Sequence, residues 1–140
     1  MSRRRWLAGV AVVAGLAAGR GTALAEPANN IQQQIELQKK CNEAASHVGA
    51  DCSQKGRDLY DAGLQKAEDA APLAQTNTGQ AMALTQGAGR DFSRAAKECK
   101  DGSEARKLVG SCVAWATEQE QVLQRYLTKI QELGRQPGAR

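Results

Sequence analysis

Towards the C-terminus, Val109, Cys112, Ala116, Gln119, Leu123, Tyr126, Ile130 and Leu133 recur at alternating steps of three and four residues. That seven-residue period belongs to an α-helix burying one stripe against other helices, and a β-strand, with period two, cannot carry it. Val113 and Trp115 widen the stripe at its N-terminal end, which is therefore expected to be the more buried. Gln119 is the one polar residue in the seam, where an amide can fix register or partner number at a cost in stability.

The remaining chain reads as helix as well, and no stretch alternates as a half-buried strand would. Asn30, with Gln33 three residues on, is expected to cap a first helix with Ile31, Ile35, Cys41, Ala45 and Val48 on its apolar face, ended by Gly49. Asp51 and Gln54 repeat the capping spacing and open a second helix with Tyr60, Leu64, Ala67, Ala71 and Ala74 on one face. The pattern weakens over 72–90, where breaker-rich Gln75–Gly79 and Gly87–Gly89 flank a short helix carrying Met82 and Leu84. Asp91 is expected to cap the next helix, with Phe92, Ala95, Ala96 and Cys99 on one face, and Ser103 to cap the last. Gly134 should stop that helix. The expected fold is all-α: a small antiparallel bundle of three to four helices over 26–134, with a long heptad-patterned C-terminal helix and a loose tail at 135–140.

The first 25 residues read differently. Three arginines, Arg3 to Arg5, precede an apolar run of twelve residues from Leu7 to Ala18, and Ala23 and Ala25 sit in a small-x-small arrangement before Glu26-Pro27. A spanning helix needs about 20 apolar residues, so the segment reads as a secretory signal peptide cleaved after Ala25. Ser2-Arg3-Arg4-Arg5-Trp6-Leu7 resembles the twin-arginine export signal, but Trp6 and Ala8 depart from that pattern and the general secretory route is favoured. Cleavage also changes the charge. The whole chain has net charge +4 from 19 basic and 15 acidic residues. The leader takes four arginines and no acid, leaving 15 of each. A neutral chain without a basic stripe has no electrostatic footprint for nucleic acid. With no cysteine just after the cleavage site, the product is expected to carry no membrane anchor and to be periplasmic or secreted.

Four cysteines, Cys41, Cys52, Cys99 and Cys112, follow the leader. An even number in a short exported chain reads as two disulfides. Local pairing, Cys41–Cys52 and Cys99–Cys112, closes short loops, each with a glycine break (Gly49, Gly110) before the second cysteine, and is the expected arrangement. Nested pairing, Cys41–Cys112 and Cys52–Cys99, is the alternative, because four up-and-down helices would match those heights. The ten- and twelve-residue separations are not the close spacing of a metal knuckle, and neither metal nor cofactor is expected. His47 is the single histidine and has no catalytic motif around it; Asp58/Asp61 and Glu118/Glu120 are the carboxylate pairs, and the former, interleaved with Lys55, Arg57 and Lys66, reads as a solvated face. No catalytic residue is assigned and no enzyme is expected.

What remains is a protein that binds another protein, or itself, through the C-terminal helix: an adaptor, inhibitor, immunity-type or secretion-apparatus component of the bacterial envelope. Leu123, Tyr126, Leu127, Ile130 and Leu133 are the candidate contact residues. A periplasmic carrier of metal or a small cofactor, using reduced cysteines, is the alternative. N-terminal sequencing of the exported protein should read Glu26-Pro27-Ala28, and Ala25→Arg should block processing; a stable membrane-bound form retaining Met1 would contradict the leader assignment.

Overall fold

Five helices appear in a computed structural model that describes residues 28–135: α1 (Ala28–Glu43), α2 (Val48–Asp51), α3 (Gln54–Ala70), α4 (Thr78–Lys97) and α5 (Glu104–Arg135). Short 3-10 turns at Ala44–Ser46 and Ala71–Leu73 join α1 to α2 and extend α3. The expected leader and the residues after 135 lie outside the described residues. The fold is the expected all-α bundle with a long C-terminal helix and two disulfides.

Each long helix packs on its neighbours in an antiparallel row: α3 against α4, α4 against α5, and α5 against α1. Small residues set the spacing of the first two contacts. A Cβ built on Gly63 of α3 would lie 2.6 Å from Phe92 Cε1 on α4, and one on Gly89 of α4 would lie 3.3 Å from Ala116 Cβ on α5. The main apolar cluster gathers Tyr60, Leu64, Phe92, Leu108, Val109 and Trp115 around both disulfides. A second, smaller cluster holds Ala70, Ala74, Ala81, Val122 and Leu123 at the other end.

The disulfides are nested, Cys41–Cys112 and Cys52–Cys99, and the local pairs expected from loop length do not form. Two features of the backbone explain this. Cys52 and Cys99 each follow a helix at the same end of the bundle, where Ser53 N donates to Glu98 O at 3.0 Å and Lys100 N donates to Asp51 O at 2.9 Å. The expected glycine breaks are also absent: Gly110 is an ordinary residue inside α5, and Gly49 lies in α2. Cys112 therefore stays in rigid helix, too far along α5 to fold back on Cys99, and faces Cys41 across the α1–α5 contact instead.

Other boundaries move for equally physical reasons. Ser53, not Asp51, caps α3, its Oγ accepting from Gly56 N at 3.2 Å. The weak segment 72–90 contains no break beyond residue 77: Asn77 caps a continuous α4 by accepting from Gln80 N at 3.3 Å. Gly87 and Gly89 sit inside α4 because close packing against Lys66 and Ala116 favours them there. Asp91 consequently is not a cap but a buried carboxylate ion-paired with Lys66 across the α3–α4 contact. Ser103 does cap α5, accepting from Arg106 N at 3.2 Å, after a turn in which Gly102 takes φ +73°. α1 ends at Glu43, well before Gly49, and α5 runs through Gly134 to Arg135.

These contacts predict opposite effects for two glycine substitutions. Gly63→Ala would press a methyl into fully buried Phe92 and should lower the unfolding free energy by about 1–3 kcal/mol. Gly110→Ala meets nothing within 4 Å and should raise it by about 0.5–1 kcal/mol through helix propensity. Urea unfolding of the oxidised protein measures both.

Candidate functional site

The heptad stripe is covered over most of its length and then emerges. Val109, Cys112, Ala116, Gln119, Leu123 and Tyr126 are all buried, whereas Ile130 is 42% and Leu133 48% exposed. The helix register gives the reason. Gly89 lies against Ala116, so Thr78, the first residue of α4, is level with position 127 of α5. Gln119 Nε2 donates to Gln34 Oε1 at 2.8 Å, so Ala28, the first residue of α1, is level with position 125. From Thr128 onward α5 runs past the described part of both neighbours, for eight residues or about 12 Å. Half-buried Leu127 stands at the base of this extension, and the Lys129–Glu132 ion pair, 3.8 Å, flanks its apolar side.

The five candidate contact residues therefore divide. Leu123 and Tyr126 face the bundle interior, Leu123 in the second apolar cluster, and are unavailable to a partner. Leu127, Ile130 and Leu133 form the accessible remainder.

A polar layer lies between the two apolar clusters. Gln34 and Gln119 are each 1% exposed, with Gln38 and Thr85 also buried nearby along the bundle. Gln119 lies in the seam as its spacing predicts, but the expected apolar face of the first helix, with Ile35 and Ala45 on it, is not the face that turns inward. In the structure α1 is turned so that Gln34, Gln38 and Cys41 face inward and Ile35 faces out; beyond its end, Ala44 and Val48 are buried and Ala45 is exposed. The signal lay in the cysteine: once Cys41 is fixed on Cys112, steps of three and four backward along α1 reach Gln38 and Gln34.

Between α4 and α5 an open groove of about 490 Å³ is lined by Gln86, Gly89, Arg90, Ser93, Thr117 and Glu120 among others. Gln86 Nε2 donates to Glu120 Oε2 across it at 2.7 Å. Asp58 accepts from Gln54 Nε2 at 2.9 Å on the surface of α3, and His47 is a half-exposed residue between the 3-10 turn and α2. Among the described residues no group of three or more His, Cys, Asp or Glu side chains is placed to hold a metal, and no helix is long and apolar enough to cross a membrane. All four cysteines are in disulfides, consistent with an oxidising compartment. Comparison of the chain with protein-family models, with characterised proteins and with solved structures finds no match.

Tyr60 closes the bundle on its fourth side. Its hydroxyl, 1% exposed with the rest of the side chain, donates to Cys41 O at 2.8 Å and links α3 to α1 beside the Cys41–Cys112 bridge. Burial, and after it the neighbouring Asp61 carboxylate, push the phenol well above its ordinary value, and a backbone hydrogen bond at Ala45 offsets part of this. The folded state thus holds the proton more tightly than the unfolded one. The resulting stability is complete below the unfolded phenol's value, about 10, and is lost progressively as pH rises above it. Alkaline titration followed by tyrosinate absorbance should show Tyr60 ionising only together with loss of far-UV helicity, and Tyr60→Phe should remove that absorbance step.

Proposed function

We propose that this chain is an exported, disulfide-stabilised helical protein of the bacterial envelope that works by binding another protein through the last turns of α5. The observation that carries the reading is that α5 continues past the described part of its neighbours with Ile130 and Leu133 exposed on the same stripe that is buried elsewhere. An apolar stripe projecting on a rigid helix is the usual form of a helix-mediated contact, in which residues at three- and four-residue spacing seat in a partner's groove. The two disulfides and the leader-like residues 1–25 support export to the periplasm or beyond it. An adaptor, inhibitor, immunity-type or secretion-apparatus role is compatible with such a surface. The carrier alternative requires four reduced thiols, and the pairing of all four cysteines favours the binding reading over it.

Ile130→Lys combined with Leu133→Lys tests the reading. Both positions are exposed, so stability should change by no more than about 0.5 kcal/mol and far-UV helicity should be retained. A photo-crosslinker at Gln131 should capture a defined partner or second copy from the intact envelope, and the double substitution should weaken that capture about tenfold or more, the effect of roughly 1.4 kcal/mol. Unchanged capture, or collapse of helicity showing that these residues are core, would refute the assignment.

A further inference from the structure

Three buried side-chain atoms have no hydrogen-bond partner among the described residues: Gln34 Nε2 on α1, Glu68 Oε2 on α3 and Gln119 Oε1 on α5. They belong to one level of the bundle. Gln34 and Gln119 are joined directly, Gln119 Nε2 donating to Gln34 Oε1. Tyr60 and Cys41 are joined by the phenol's hydrogen bond. Because α1 runs antiparallel to α5, and α5 parallel to α3, α1 and α3 run antiparallel. Glu68 lies eight residues beyond Tyr60, about 12 Å, and Gln34 seven residues before Cys41, about 10 Å, so both are reached by moving the same distance along the bundle. Positions 60, 64 and 68 also form one i+4 row, which winds about 80° around α3 away from Gly63 and its contact with Phe92, and so carries Glu68 to the side on which Tyr60 meets α1.

The layer therefore offers two acceptors, Glu68 Oε2 and Gln119 Oε1, and one donor, Gln34 Nε2, between the two apolar clusters. Buried polar groups in folded proteins are paired, by protein or by ordered water, because desolvation without a partner is costly. One acceptor could be served by rotating Gln34, but its amide already carries the bond from Gln119, and a carboxylate oxygen and an amide oxygen both need hydrogens. We propose that Gln34, Glu68 and Gln119 form a binding site for a single integral water molecule, which donates to Glu68 Oε2 and Gln119 Oε1, accepts from Gln34 Nε2, and so ties α1, α3 and α5 together. Three hydrogen bonds are the usual complement of a buried water. An ammonium ion matches the two acceptors but has no lone pair for the Gln34 amide.

Water-selective rotating-frame NMR on the full, oxidised chain tests the site. The expected result is a long-lived water with cross-peaks to the side-chain amide protons of both Gln34 and Gln119. Glu68→Gln, which keeps an acceptor oxygen, should retain these cross-peaks, and Glu68→Leu should lose them. Gln34 amide protons that contact Glu68 directly with no water cross-peak would overturn the proposal, as would a water signal that survives Glu68→Leu unchanged. Displacement of the water by added ¹⁵N-ammonium, seen as amide cross-peaks to the ion, would overturn it too. If Glu68→Leu does not fold, the wild-type and Glu68→Gln spectra decide the matter, since either lacking the water contact refutes the site.

Discussion

The cross-link between Cys41 and Cys112 holds the arrangement of the whole bundle. α1 packs against α5, and its inward face carries Gln34 and Gln38 where the other helices carry Leu, Phe or Trp. That face gains little from burial, because large apolar side chains stabilise by roughly 1.5–3 kcal/mol each when buried and amides do not. The disulfide supplies what the apolar contacts lack. Its ends are 71 residues apart in sequence, and those of Cys52–Cys99 are 47 apart. In the chain-entropy account, bridges of that span stabilise by about 4 kcal/mol each, against about 3 for the shorter local pairs.

Around that constraint the helices divide into two kinds of contact. α3, α4 and α5 approach closely because Gly63, Gly87 and Gly89 leave room for Phe92, Lys66 and Ala116. The α1 side is held instead by specific bonds: the Cys41 bridge, the Tyr60 hydroxyl on Cys41 O, and the Gln34–Gln119 amide pair. Polar pairs of this kind contribute less energy than apolar packing but have only one satisfactory register, since any slip leaves buried amides unpaired. α1 is thus positioned by geometry more than by hydrophobic area. The same register determines where the described parts of α1 and α4 begin relative to α5, and hence how much of α5 runs past them.

The candidate contact surface was only partly legible from the chain. A stripe of period 3.5 shows that Leu123, Tyr126, Ile130 and Leu133 share a face, but a repeat does not say where the neighbouring helices stop. Leu123 and Tyr126 are buried and Ile130 and Leu133 exposed because α4 starts at Thr78 rather than near Asp91, and Thr78 is level with position 127. The start of α4 was in turn hard to read, since Gly79, Gly87 and Gly89 resemble breakers until the closeness of Lys66 and Ala116 explains two of them.

Local chemistry determined much of this protein before any tertiary contact: helical periodicity excluded strands, Ser103 capped the last helix, and the heptad repeat defined its buried face. Those features act over one or two turns, within which a side chain's partners are neighbours in sequence. The disulfide connectivity was decided elsewhere. Loop-closure entropy alone favours short links, but rigid helix at Gly110 and the meeting of two helix ends at Cys52 and Cys99 override it. The rotation of α1 that buries Gln34 and exposes Ile35 follows from that connectivity, because a helix tied at Cys41 has no freedom to choose its own most apolar face.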